Sequence, residues 1–200
     1  MNTHPPNGLP SRQRAGMAMA SSSAQGPEAV FGACDADPDV TIAAMGLRLW
    51  VRLPPALFDG AASVIETAHA PGAGPPLHRH REAETFRVLQ GRYLMQRGTQ
   101  QFEVGEGEVV HVPGGMPHAF VNIGDGEARQ LVLISPGMQA DVFFQQLAAL
   151  MAAGYPSPTR LRAFGQPWGV EFLGPPLHAA RHAGEGAEPQ AIVRPAHPQG

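Results

Sequence analysis

The stretch that decides the reading of this chain is Gly72-Ala-Gly-Pro-Pro-Leu-His78-Arg-His80-Arg-Glu82-Ala-Glu84-Thr-Phe86-Arg-Val88-Leu-Gln-Gly91. Its skeleton is Gly72-x5-His78-x-His80-x3-Glu84-x6-Gly91, and a second skeleton follows: Gly107-x5-Pro113-x-Gly115-x2-His118-x3-Asn122. Side chains alternate faces along a strand, so the imidazoles of His78-x-His80 project the same way, about 6–7 Å apart. Glu84 shares their parity, and His118 arrives from a distant strand behind a proline and two glycines. Three imidazoles and a carboxylate are a donor set for a divalent transition metal. The competing reading is an exposed histidine-rich hairpin, since Arg79, Arg81 and Glu82 are strongly polar. A lone His-x-His would favour that reading, but two skeletons fixing ten positions favour the metal.

Outward from this centre, the chain reads as short strands. Val40 to Leu53 and Ala62 to Ala70 are apolar stretches that precede the first skeleton. Glu84–Leu89 and Arg92–Gln96 are joined at Gly91, and Gln100–Val104, Glu108–Val112, Ala119–Asn122 and Gln130–Ser135 follow at short spacing. Their separators are turn formers (Gly105, Gly107, Pro113, Gly114, Gly124, Gly126). Strands without intervening helices predict an all-β antiparallel sandwich or barrel. After Pro136, Val142, Phe144, Leu147, Leu150 and Met151 recur at helical spacing, and Ser157-Pro158 opens a shorter helix toward Phe164. Trp168 to Leu173 is one more apolar segment expected to pack on the barrel. The expected organisation is a disordered leader over 1–38, a barrel over 39–137, a helical appendage with a strand over 138–176 and a disordered tail over 177–200.

Composition narrows the function. Gly 24 and Pro 21 suit turns and short strands. Net charge is −3 without charge runs, which gives nucleic acid or an acidic membrane no purchase. All basic residues are Arg, which excludes a Schiff-base or P-loop lysine, and one cysteine, Cys34, excludes an internal disulfide and a Cys-based zinc site. No apolar run reaches the ~18 residues of a membrane span, and the first thirty residues read as a leader with Met1 or Met17 as start. A cytoplasmic protein is the expectation. His178, His182 and His197 in the tail are expected to be solvated, His111 to face outward, and Tyr93 and Met95 to act only in packing.

Both skeletons match, residue for residue, the two motifs of the cupins, and the chain resembles a single-domain cupin. The resemblance covers roughly residues 45–177 and implies a jelly-roll β-barrel. It implies His78, His80, Glu84 and His118 as ligands to Fe, Mn, Ni, Co, Cu or Zn. Glu82, two residues from Glu84, is the alternative carboxylate. More loosely, Gly74-Pro-Pro-Leu77, Ser135-Pro-Gly137, Phe143-Phe144 and Gly169 to Pro176 are similar to the flavonol- or quercetin-dioxygenase-like branch. That branch implies O₂ as co-substrate and Glu84 as catalytic base on a substrate hydroxyl. Phe86, Val88 and Phe120 are the expected apolar wall for an aromatic or enolic substrate. Two further readings stand beside the metal-dependent dioxygenase: a non-catalytic module that binds a small molecule or metal, and a redox-neutral isomerase or lyase. Exposed edge strands make a homodimer the expected assembly.

Overall fold

The computed structural model describes residues 37–178. The N-terminal leader with Cys34, the two candidate starts, His182 and His197 lie outside the described residues.

Among the described residues, eleven strands form two antiparallel sheets, with two short α-helices before the last strand. In chain order the strands are β1 (Val40–Ile42), β2 (Leu47–Leu53), β3 (Ser63–His69), β4 (Pro76–Arg79), β5 (Ala83–Gln90), β6 (Arg92–Arg97), β7 (Gln100–Gly105), β8 (Val109–Val112), β9 (His118–Asn122), β10 (Ala128–Ser135) and β11 (Glu171–Pro176). One sheet runs β1-β2-β3-β10-β5-β8 and the other β11-β4-β9-β6-β7. This is the all-β antiparallel architecture the strand spacing predicts, in the jelly-roll arrangement the cupin resemblance implies.

The two sheets share one core. β5 alternates buried Phe86 and Val88 with exposed Arg87 and Leu89. Phe86 meets Phe120 of the other sheet at 5.7 Å between ring centroids, and Phe120 in turn lies 5.5 Å from Tyr93. Edge-on aromatic contacts of this kind add about 0.5–1.5 kcal/mol each to the burial itself. The outer face of the six-stranded sheet is instead charged: Arg52 and Arg129 both reach Glu66, and the Arg129 guanidinium sits 4.9 Å over the Trp50 ring.

Three expectations change at the element level. The Val40–Leu53 stretch is two strands, because a single 3-10 turn at Ala43–Met45 closed by left-handed Gly46 interrupts it. Trp168 ends another 3-10 turn, so the last strand starts only at Glu171. The helix α1 (Ala140–Met151) buries Ala140, Phe143, Leu147 and Met151, while Val142 is exposed and Phe144 and Leu150 are only partly covered. The helix α2 (Pro158–Gly165) opens as expected: the Ser157 hydroxyl accepts from the Arg160 amide at 3.4 Å and Pro158 stands at the first position. Phe143 joins the helical segment together, with Phe164 at 5.4 Å and Trp168 at 5.3 Å.

Candidate metal centre

His78 and His118 face each other as cross-strand neighbours on β4 and β9. Their ring centroids are 4.3 Å apart. His80 follows just past the end of β4, with its ring 5.1 Å from His118 and 5.5 Å from His78. Glu84 comes from β5 in the opposite sheet, where it pairs with Val112 and Ile134. One ring nitrogen from each of His78, His80 and His118 falls within 4.8 Å of the others, the spacing of donors around a single ion. Glu84 touches two of the three: Oε2 is 3.0 Å from His118 Nε2, and Oε1 is 3.6 Å from His80 Nε2.

Backbone contacts aim these rings. His78 Nδ1 lies 2.8 Å from the Pro76 carbonyl and His118 Nδ1 lies 2.9 Å from the Met116 carbonyl. A carbonyl can only accept, so in both rings Nδ1 carries a hydrogen, and Nε2 faces inward to hold either a proton or an ion. His80 Nδ1 lies 3.4 Å from Glu82 Oε2, outside hydrogen-bond geometry but within reach of its charge. The Arg81 Nε–H donates to the other oxygen of buried Glu82 at 2.7 Å. Such outer partners fix the tautomer and orientation of metal-binding histidines. Glu82 therefore stands behind His80, whereas Glu84 stands on the side where the rings converge.

Two glycines make the approach possible. A Cβ on Gly114 would sit 2.1 Å from the Arg81 carbonyl oxygen, so the Pro113–Met116 loop can lie against the His80–Arg81 backbone only without one. The Gly115 amide then donates to the His80 carbonyl at 2.6 Å. A Cβ on Gly74 would meet the Phe120 carbonyl oxygen at 1.9 Å, so β4 owes its seat against β9 to that bare backbone.

The electrostatics favour a cation at the convergence point. Burial alone would raise the Glu84 carboxyl, but hydrogen bonds from His118 and His80 outweigh it and hold the group well below the usual carboxylate range. Burial and the neighbouring imidazoles push His78 down to about 3. Burial works against charge on His80 as well, yet the Glu84 hydrogen bond and the charges of Glu84 and Glu82 raise it. A carboxylate pressed against nitrogen lone pairs is repelled unless positive charge lies between them. A proton or a divalent ion supplies that charge, and three neutral imidazoles plus a carboxylate are donors that suit the ion.

His78, His80 and Glu84 line a cavity of about 360 Å³ between the sheets, and His118 stands against His78 and Glu84 at its edge. Phe86 and Phe120 form part of its wall; Val88 is buried in the core, outside the lining. Phe143, Phe144 and Leu147 of α1 and Trp168 close another side, which places the helical segment over the cavity. His111 is exposed and bonds Thr85 at 3.0 Å; His178 is exposed as well. The cavity also holds residues that the sequence reading passed over: Thr67 and His69 on β3 and Gln130 on β10. Tyr93 has more than a packing role, because its hydroxyl lies 3.0 Å from His69 Nδ1. Thr67 and His69 share the face of Ile65, but β3 is buried and polar on both faces, so parity alone did not mark that face as the inward one.

Among known proteins, residues 66–134 match the cupin domain. An uncharacterized protein of Methanocaldococcus jannaschii, MJ1618, is 33% identical over 75 residues, which are 36% of this chain and 60% of that protein. An uncharacterized protein of Streptomyces coelicolor, SCO3923, is 37% identical over 57 residues, 28% of this chain and 53% of that one. The chain thus spans little more than half the length of these curated relatives. Among solved structures, one described as a predicted oxalate decarboxylase from Thermotoga maritima superposes with a TM-score of 0.49 at 20% identity, over 54% of this chain and 98% of that one. An RmlC-like cupin from Shewanella frigidimarina gives 0.46 at 17% identity, over 56% and 92%. Both motifs fall within the matched residues and the strands form two facing sheets, so residues 66–134 are identified as a cupin domain.

Proposed function

We propose that the protein is a metal-dependent dioxygenase of a small aromatic or enolic molecule, with His78, His80, His118 and Glu84 holding a divalent transition metal. One observation carries the reading: inward-aimed imidazoles and a low-pKa carboxylate converge on a largely apolar cavity of about 360 Å³. When bound, the metal supplies a Lewis acid with open positions for small ligands.

The chain's own residues do the remainder. The Pro76 and Met116 carbonyls hold two rings in the ligating tautomer. Phe86 and Phe120 offer flat apolar surface against which an aromatic or enol-bearing molecule stacks. Glu84 stays ionised and sits between His80 and His118, so either oxygen can accept the proton of a substrate hydroxyl delivered to that point. The helix α1 and Trp168 shield the site from bulk water, which strengthens every charge interaction inside.

Oxygen uptake by the metal-reconstituted protein, with a panel of flavonols, 1,3-diketones and catechols, tests the proposal. Metal-dependent consumption that disappears in Glu84→Gln supports it. Absence of consumption across the panel contradicts it, and turnover of a substrate under strict anaerobiosis would move the protein to redox-neutral chemistry.

A further inference from the structure

The cavity has a second polar end that the metal centre does not use. Gln130 is fully buried and lines the cavity, yet no protein group hydrogen-bonds its amide nitrogen or its amide oxygen. Thr67, directly across the β3–β10 ladder, is 5% exposed, and its hydroxyl also has no protein partner. His69 follows one inward position further along β3, fixed by Tyr93 and by edge-on contact with Phe120 at 5.0 Å. A buried amide left without partners costs about 1–3 kcal/mol. Three polar side chains on one face of two adjacent strands are therefore a costly lining for a hydrocarbon core.

The register places this cluster away from the metal centre. Glu84 pairs with Ile134, and Gln130 stands four residues back along β10, so the two ends are roughly 13 Å apart along the strand. Phe86 and Phe120 lie in between. Charge separates the ends as well. The charged residues in the wall are Arg81, Glu82 and Glu84, all beside the histidines. The inner end carries an amide, a hydroxyl and an imidazole that burial keeps neutral.

We infer that Gln130, Thr67 and His69 form a second recognition point, for an uncharged hydrogen-bonding group (a hydroxyl or carbonyl) at the far end of the molecule whose near end reaches the metal. The inference rests on the dioxygenase reading for the near end and adds the shape of the substrate class: an elongated, apolar-centred molecule, polar at both ends. An anionic far end is disfavoured because no cation faces it.

Two catechols separate this inference from the metal reading: 4-phenylcatechol, and 4-(4-hydroxyphenyl)catechol, which differs only by a distal hydroxyl. Both are titrated anaerobically into the metal-loaded protein and into Gln130→Leu. The distal hydroxyl is expected to tighten binding roughly five- to tenfold in the native protein. In Gln130→Leu the difference should vanish, with metal content and affinity for 4-phenylcatechol retained. Equal affinities in the native protein, failure of both probes to bind metal-loaded protein, or discrimination surviving in Gln130→Leu would overturn it. Metal-free stability provides an arm independent of the metal. If the amide waits for a ligand, Gln130→Leu melts at the same or a higher temperature; a lower melting temperature would show a structural amide and overturn the inference. Should the protein take up no metal, the dioxygenase reading falls alone and this second arm still decides the subsite.

Discussion

At the scale of single residues, position matters more than identity for the two candidate acids. Glu82 and Glu84 are both close to His80, but Glu82 faces its Nδ1 while Glu84 faces the Nε2 of His80 and of His118. Glu82→Gln should therefore keep the site but weaken metal binding about 10- to 100-fold, as measured by competition with a chelator. No change would show that Glu82 does not orient His80. His69 gives a prediction free of the metal. Burial pushes its imidazole down to about 3, whereas the unfolded chain takes up a proton near 6.5. Protons then favour the unfolded state, so stability falls as pH drops below about 6.5 and continues to fall until about 3. Between pH 7 and 4.5 this one residue costs on the order of 2–3 kcal/mol. Denaturant titrations of metal-free native protein and His69→Phe should show a shallower acid loss in the variant; parallel curves would refute the assignment.

At the scale of elements, the loop carrying the second motif is tied to the first by backbone contact. Gly114→Ala puts a methyl 2.1 Å from the Arg81 carbonyl, so the loop must move and His80 with it. The expected outcome is a loss of about 2 kcal/mol or more together with weakened metal binding, read by denaturation and by chelator competition. Phe143→Ala should cost roughly 3–5 kcal/mol, because its buried ring packs against Phe164 and Trp168 and helps to wall the cavity. A loss below about 1 kcal/mol would mean that the helical segment stands apart from the barrel. Turn residues made most strands readable from sequence: glycines and prolines bracket β5 through β9, and the alternation of Phe86 and Val88 against Arg87 is plain. The helix stripe was less so. Phe143 and Phe144 are equally apolar, and only contact with Phe164 and Trp168 selects Phe143 as the buried one.

At the scale of the whole molecule, the centre was legible and its surroundings were not. Four donors at fixed spacings announce themselves, because few pressures other than a shared ion place His, His, Glu and His in that pattern. Gln130, Thr67 and Tyr93 have no such spacing; Gln130 meets Thr67 only through the pairing of β3 with β10, and Tyr93 reaches His69 by its hydroxyl. On β3 both faces carry polar residues, Thr67 and His69 toward the cavity and Glu66 toward Arg52 and Arg129, so periodicity could not mark the cavity side. No helix among the described residues is long and apolar enough to cross a membrane. Because the candidate ligands come from both sheets, an ion bound there would link them. Divalent metal at about 100 times its dissociation constant should stabilise the protein by about 2.7 kcal/mol, and a chelator should reverse the gain.

The most direct test is the metal content of purified, metal-reconstituted protein, measured by mass spectrometry beside folded His118→Ala. The account predicts one divalent transition-metal ion per native chain and near-complete loss in the variant, because His118 contributes a ring nitrogen and anchors Glu84. Equal metal in both proteins, or none in the native one, would contradict it.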